Sequence, residues 1–259
     1  MPTPNAPELR TGPLRVELVA EHCGAVLDGA LTQRGRFCRW VLIPGAGGDP
    51  WFWHRVVTEL ADRGRPAIAV DLPAADAKAG LPEYLAAALQ AVGDRPGEFV
   101  VVGQSLGGFT APLLCERLPV VELVLVNAMI PAPGETVGEW WGNTGQPAAR
   151  RESDLREGRD PAVFDEAVYF LHDVPPEVLA SGPGQQRDQS DAIFESVCPL
   201  EAWPAVPTRV VAGRDDRFFP VEFQRRVAGE RLGLPLDELP GGHLIALSQP
   251  RLLTDYLEA

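Results

Sequence analysis

The sequence predicts an α/β fold, with a mostly parallel, doubly wound sheet covered by helices and a helical lid inserted after the sixth strand. Short apolar runs alternate with segments of helical spacing along most of the chain, and the runs have no polar face. Strands that are apolar on both faces are typical of a parallel sheet between two layers of helices.

The first part of the chain supplies most of these elements. Residues 39–43, RWVLI, are an apolar run that stops at Pro44 and a glycine-rich loop, and residues 51–62 then have helical spacing. Further strands are expected at 66–70, 99–102 and 120–126, further helices at 84–92 and 106–118, and a possible edge strand at 14–19.

The alternation stops after residue 128. The next eighty residues are rich in proline, glycine and charge, and they contain the pair Trp140 and Trp141. We predict a cap or lid over 129–207, which divides the core into 1–128 and 208–259. The second part of the core has a strand at 209–212, a helix at 221–229, a weak strand near Leu236 and a final helix at 244–257.

Composition excludes several classes of protein. With 36 acidic and 23 basic side chains, the formal net charge is -13, which disfavours nucleic acid as a partner. No apolar run approaches the roughly 20 residues of a membrane span, and the first residues do not form a signal sequence. We expect a soluble, cytoplasmic monomer or homodimer without metal or organic cofactor. The four cysteines form no CxxC pair, so free thiols are expected.

One short motif carries the chemistry. Gly103-Gln104-Ser105-Leu106-Gly107 fits the G-x-S-x-G nucleophile elbow and lies between a predicted strand and a predicted helix. The turn is so sharp that side chains two residues either side of the serine would collide, which explains the glycines. The alternative is a glycine-rich turn that only permits close packing.

A serine hydroxyl needs a neighbouring base to become a nucleophile at neutral pH. The chain has four histidines, His22, His54, His172 and His243. His243 follows the last predicted strand and precedes the last helix, which places it at the carboxyl edge of the sheet. His172 falls in the predicted lid, and His54 lies on the first helix. We therefore favour His243 as the general base.

A carboxylate must hold that imidazole in one tautomer. Asp215 and Asp216 follow the strand at 209–212. We favour Asp216, because the later position can point back across the sheet edge, with Asp215 as the open alternative. The order serine, aspartate, histidine is that of the α/β-hydrolase type of triad.

The loop Pro44-Gly45-Ala46-Gly47-Gly48 is not a dinucleotide loop, because Pro50 occupies the position of the third glycine. For acyl transfer it would instead supply a backbone N–H. We predict that the amides of Ala46 and Leu106 form an oxyanion hole.

These motifs together resemble the α/β-hydrolase superfamily, and within it the plant methylesterases and hydroxynitrile lyases. The resemblance covers most of the chain and is carried by VLIPGAGGDPWFW, VVGQSLGGF, GRDDRFFPVEFQRR and GGHLIALSQP. It implies a serine esterase with Asp216 as the acid. Pro44 departs from the usual histidine of the first loop, and the lid offers no match that identifies a substrate.

The resemblance also indicates which other functions must be compared with ester hydrolysis. The lyases of this branch have a threonine in the first loop and a lysine after the histidine, where this chain has Gly45 and Leu244, so a lyase is disfavoured. A receptor-like protein that turns over slowly is the alternative outside enzymes. We predict cleavage of a small or medium, largely apolar ester, lactone or thioester. The expected pocket residues are Trp51, Trp53, Trp140 and Trp141.

Overall fold

The sheet has six strands within the described residues, 38–182 and 187–259, of a computed structural model. The strands are β1 Arg39–Ile43, β2 Ala67–Ala69, β3 Phe99–Gln104, β4 Val120–Val126, β5 Thr208–Gly213 and β6 Asp237–Leu239. All neighbouring strands are parallel, in the order β2-β1-β3-β4-β5-β6. This confirms the predicted parallel sheet. The possible strand at 14–19 lies outside the described residues.

The strand order creates a crevice between β1 and β3. The chain leaves β1 towards β2 on one side, whereas it leaves β3 towards β4 on the other side. Loops that diverge in this way leave an open groove at the carboxyl ends of the strands. Ile43 pairs with Gly103, so the glycine-rich loop after β1 and the elbow after β3 begin at the same level.

Helices connect the strands. The first is a 3-10 helix, Pro50–Trp53, and the α-helices of the core are α1 His54–Asp62, α2 Leu81–Val92, α3 Gly107–Leu114, α9 Val221–Leu232, α10 Ile245–Ser248 and α11 Pro250–Glu258. The single helix predicted at 244–257 is two helices. Pro250 has no backbone N–H to continue the first one, but it suits the first turn of the second.

The side chains of the central strands alternate between two apolar layers. Val101 of β3 and Leu123 of β4 pack into one core, and Val100 and Val124 pack into the other on the opposite face. Because both faces are buried, these strands are largely apolar, as the sequence predicts.

The segment between β4 and β5 is helical. It contains α4 Val137–Thr144, α5 Gln146–Arg156, α6 Glu166–Tyr169, α7 Pro176–Ala180 and α8 Ala192–Glu195. Among the described strands it follows the fourth, and residues 36–259 form one compact unit. Over the described parts of the chain, no helix combines the length and apolar character needed to cross a membrane.

Candidate active site

Ser105 lies on a strained turn between β3 and α3. Its φ is 51°, in the left-handed region that side chains rarely adopt. A Cβ at Gly103 would lie 2.7 Å from the Cβ of Ala111, and a Cβ at Gly107 would lie 2.6 Å from the carbonyl oxygen of Pro44. The two glycines therefore permit a turn that no larger residue would allow.

His243 lies beside the serine on the loop after β6. Its Nε2 is 3.0 Å from Ser105 Oγ, and the side chain is buried. The backbone carbonyl of His243 accepts hydrogen bonds from Asn127 Nδ2 at 2.9 Å and from Gln104 Nε2 at 3.3 Å. Two side-chain amides thus hold the histidine loop over the sheet edge.

Asp216 lies on the far side of the imidazole. Its Oδ2 is 2.7 Å from His243 Nδ1 and also accepts a hydrogen bond from Gln224 at 3.2 Å. Its Oδ1 accepts the backbone N–H groups of Phe218 at 2.9 Å and Phe219 at 2.8 Å. These contacts satisfy a carboxylate that is only 4% exposed and fix it beside the imidazole.

The other candidates from the sequence lie elsewhere. Asp215 is exposed, and its Oδ2 is 3.3 Å from the amide of Gly241. His54 stacks on Trp51 with ring centroids 5.0 Å apart. His172 is hydrogen-bonded to the carbonyl of Asp215 at 3.1 Å, and burial together with the charge of Arg217 lowers its pKa. His22 lies outside the described residues.

A buried network of amides supports the site, and sequence reasoning missed it. Asn127, at the end of β4, has φ 45° and is fully buried. Its Oδ1 accepts hydrogen bonds from the backbone N–H of Gly213 at 2.7 Å and from the side-chain Nε2 of Gln224 at 3.3 Å. Asn127 therefore joins the ends of β4 and β5 to the loop of His243. The signal that could have revealed it is a polar residue directly after an apolar strand at the edge where the site forms.

The loop after β1 offers one free amide next to the serine. The N–H of Gly48 donates to Gly45 O at 3.1 Å, and that of Gly47 donates to Gln189 Oε1 at 3.1 Å. In the described structure, the N–H groups of Ala46 and Leu106 donate to no protein acceptor. Both residues line the same cavity as Ser105. The predicted pair of oxyanion donors is thus available to a ligand.

A cavity of about 500 Å³ opens above Ser105 and His243. Most of its lining is apolar, and its aromatic residues are Phe52, Trp141, Phe170, Phe194 and Phe218. Three phenylalanine rings also pack around His243, those of Phe170, Phe218 and Phe219, with centroids 5.0 to 5.4 Å from the imidazole. The imidazole is therefore shielded from bulk water, which strengthens its polar contacts.

Of the four tryptophans expected in the pocket, Trp141 lines the cavity and the other three do not. Trp53 and Trp140 are buried in the two apolar cores, and Trp140 donates its Nε1–H to Ile130 O at 3.0 Å. Trp51 packs in a small separate cluster. Trp140 and Trp141 do not face the same space, because neighbouring residues of a helix point about 100° apart.

A parallel sheet with a serine at the turn after β3 and a histidine after β6 is the architecture of an α/β-hydrolase. The model of the alpha/beta hydrolase family matches residues 40–255, and the chain belongs to that family.

Relatives that are named as esterases agree with this family assignment. The probable esterase PIR7A of Oryza sativa subsp. indica is 30% identical over 250 residues, covering 84% of this chain and 94% of the relative. Methylesterase 8 of Arabidopsis thaliana is 23% identical over 261 residues, covering 92% of this chain and 93% of the relative. The crystal structure of a pyrethroid hydrolase from Sphingobium faniae JZ-2 shares the fold, with a TM-score of 0.69, 24% identity and coverage of 85% and 96%.

Proposed function

We propose that this protein is a serine esterase in which Ser105 is the nucleophile, His243 the general base and Asp216 the orienting acid. The observation that carries the proposal is the continuous contact from Ser105 Oγ to His243 Nε2 at 3.0 Å and from His243 Nδ1 to Asp216 Oδ2 at 2.7 Å. The esterases among its relatives support the same class of reaction.

The first half of the reaction is acyl transfer to the enzyme. Ser105 Oγ attacks the ester carbonyl carbon while its proton passes to His243 Nε2. The carbonyl oxygen becomes an oxyanion that accepts the N–H groups of Ala46 and Leu106. The intermediate then collapses, the bond to the alcohol oxygen breaks, and His243 gives its proton to the leaving alcohol. Asp216 stabilises the imidazolium between these two steps.

The second half is hydrolysis of the acyl-enzyme. Water loses a proton to His243 and attacks the same carbonyl carbon, and the bond to Ser105 Oγ breaks as His243 returns the proton to the serine. The carboxylic acid then leaves. All proton transfers use one imidazole, so no metal or organic cofactor is required.

The cavity suggests the class of substrate. A volume of about 500 Å³ lies within the usual range for small-molecule sites, and five aromatic side chains line it. We propose a small or medium, largely apolar carboxylic ester, with lactones and thioesters open to the same chemistry. We further propose that the protein acts as a cytoplasmic monomer or homodimer and binds no nucleic acid.

Labelling with a fluorophosphonate tests the proposal. We expect a single adduct on Ser105, mapped by mass spectrometry, and rapid hydrolysis of short p-nitrophenyl esters. Ser105→Ala should lose the adduct and at least about 1000-fold of the rate. Ser190→Ala is the control, because Ser190 Oγ only accepts a hydrogen bond from the amide of Ala192 at 3.2 Å. Modification at another residue would overturn the assignment, and tight ligand binding with almost no turnover would indicate a receptor-like protein.

A further inference from the structure

Residues 187–190, here called the strap, lie directly against the glycine-rich loop after β1. Ser190 donates its backbone N–H to Ala74 O at 2.8 Å, and Arg187 forms ion pairs with Asp49, at 3.5 Å, and with Asp71. A Cβ at Gly47 would lie 3.2 Å from the carbonyl oxygen of Arg187. The strap comes from the segment between β4 and β5, yet it touches the loop that carries Ala46.

One side chain of the strap bonds to that loop. Gln189 Oε1 accepts the backbone N–H of Gly47 at 3.1 Å, across 142 residues of sequence. Gly47 and Gly48 both have positive φ, 81° and 61°, so the loop is a turn of glycines with little intrinsic rigidity. The bond from Gln189 therefore fixes a peptide that the loop itself would leave free to rotate.

The orientation of Gln189 is set by its other contacts. Its Nε2 donates to the hydroxyl of Tyr84 at 2.9 Å and to the carbonyl of Ser190 at 3.2 Å. Tyr84 is 1% exposed and is part of the main apolar core. Since the amide nitrogen is committed to these acceptors, the amide oxygen faces Gly47.

The consequence concerns the neighbouring peptide. Gly47 N–H is taken by Gln189 and Gly48 N–H by Gly45 O, so of the three amides of residues 46–48 that of Ala46 is left for a ligand. If Gly47 lost its acceptor, its N–H would compete for the same ligand oxygen and the turn could change conformation. An oxyanion hole depends on donors that are already in place before the charge develops.

We propose that Gln189 is a positioning residue of the oxyanion hole, supplied by the segment between β4 and β5. It holds the peptide of Gly47 so that the N–H of Ala46 faces the carbonyl oxygen of the ester that Ser105 attacks. This inference rests on the proposed function, because it concerns the oxyanion of that reaction. A purely structural alternative is that Gln189 ties the strap to the core through Tyr84.

Two variants separate these roles. Gln189→Leu keeps the volume but removes the acceptor of Gly47. Tyr84→Phe removes one acceptor of Nε2 and leaves the carbonyls of Ser190 and Ala74, which still orient the amide so that Oε1 stays on Gly47. Ser190→Ala is the matched control within the strap. Gln189→Ala is a second variant of the same position in case leucine prevents folding, and circular dichroism checks that each variant is folded.

The measurements are kcat and KM on a p-nitrophenyl ester and the inhibition constant of a trifluoromethyl ketone, whose adduct with the serine carries an oxyanion. We expect Gln189→Leu and Gln189→Ala to lower kcat about 10- to 100-fold and to weaken the ketone by a similar factor, with KM within about threefold of the wild type. Tyr84→Phe and Ser190→Ala should keep kcat, KM and the inhibition constant within about threefold of the wild-type values.

Unchanged kcat and ketone affinity in the folded Gln189 variants would overturn the proposal. So would equal losses in Tyr84→Phe and Gln189→Leu, because the role would then be attachment of the strap. Failure of the proposed function looks different, since the wild-type protein itself would show no hydrolysis that depends on Ser105.

Discussion

Gly45 is a single residue whose surroundings leave no space for a side chain. A Cβ there would lie 2.9 Å from Ser105 Cβ and 2.7 Å from Gln104 Oε1. The loop after β1 must approach the serine this closely if its amides are to reach an oxyanion formed at the same carbon. We therefore expect a side chain at position 45 to reduce the rate of catalysis more than it reduces the free energy of unfolding.

We predict that Gly45→Ala lowers kcat/KM about tenfold or more, because the loop must shift away from the nucleophile. Steady-state kinetics on a p-nitrophenyl ester would measure this. Gly229→Ala is the control, since a Cβ on that residue of α9 meets nothing within 4 Å. It should leave kinetics unchanged and raise the free energy of unfolding by about 0.5 to 1 kcal/mol. Full activity of Gly45→Ala would contradict the proposed loop role.

The pair Asp215 and Asp216 allows a test with adjacent residues. Asp216→Asn should lower kcat about 100- to 10 000-fold, because an amide cannot accept the Nδ1–H and stabilise the imidazolium as a carboxylate does. Asp215→Asn should stay within about threefold, since that exposed side chain meets only the amide of Gly241 at 3.3 Å. The measurement is the rate of ester hydrolysis. Equal losses of kcat in both variants would contradict the role of Asp216 as the orienting acid.

At the scale of the element, the site is held where strands end. Asn127 bonds to Gly213, Gly242 and His243, so it links the ends of β4 and β5 with the loop after β6. The backbone of these loops is not paired within the sheet, and a buried side chain replaces the missing partners.

Removing this amide should therefore loosen the histidine loop. We expect Asn127→Ala to lower the free energy of unfolding by about 2 to 4 kcal/mol, because one buried N–H and two buried carbonyls lose a partner, and to lower kcat as well. Urea denaturation would measure the first effect. Gln90→Ala, on the exposed face of α2, is the control and should cost about 0.5 kcal/mol or less. If Asn127→Ala lowers the free energy of unfolding no more than this control does, the histidine loop is held by other contacts.

The sequence predicted the core elements because their chemistry is local. A strand such as β3 is apolar from Phe99 to Val102 and ends in the five-residue G-x-S-x-G motif. The boundary between α10 and α11 was missed, although Pro250 is a local signal. The segment 129–207 could be recognised only as a break in the alternation, since its short helices depend on contacts with the core.

At the scale of the whole molecule, the order serine, aspartate, histidine and the edge of the sheet were both predictable, because a parallel sheet brings the carboxyl ends of its strands together. The residues that line the cavity were not predictable from the sequence. Phe170 comes from the segment 129–207 and Phe218 from the loop after β5, and nothing in the sequence pairs them. Gln189 was missed for the same reason, since its partner Gly47 is 142 residues away.

The segment 129–207 is also joined to the second part of the core by a buried ion pair. Glu135 is 5% exposed, and its Oε1 accepts a hydrogen bond from Arg231 Nη2 at 2.7 Å. Burial alone would raise the pKa of Glu135, but hydrogen bonds from Arg231, Asn143 and the amide of Ala132 hold the pKa below its ordinary value of 4.5. The carboxylate is therefore easier to ionise in the folded protein than in the unfolded chain.

This difference makes the stability of the molecule depend on pH. The contribution of Glu135 is complete above the unfolded-state pKa of about 4.5 and is lost as the pH falls through the lower folded-state value. We predict that Glu135→Gln lowers the free energy of unfolding by about 3 kcal/mol at pH 7, and that the gap to the wild type narrows below pH 4.5. Urea denaturation at several pH values would measure the gap. Glu157→Gln, in an exposed pair with Arg156, should cost less than about 1 kcal/mol at any pH. A gap for Glu135→Gln that stays constant as the pH falls into the acid range would contradict this role, because the lost stability would then not come from the charge of the carboxylate.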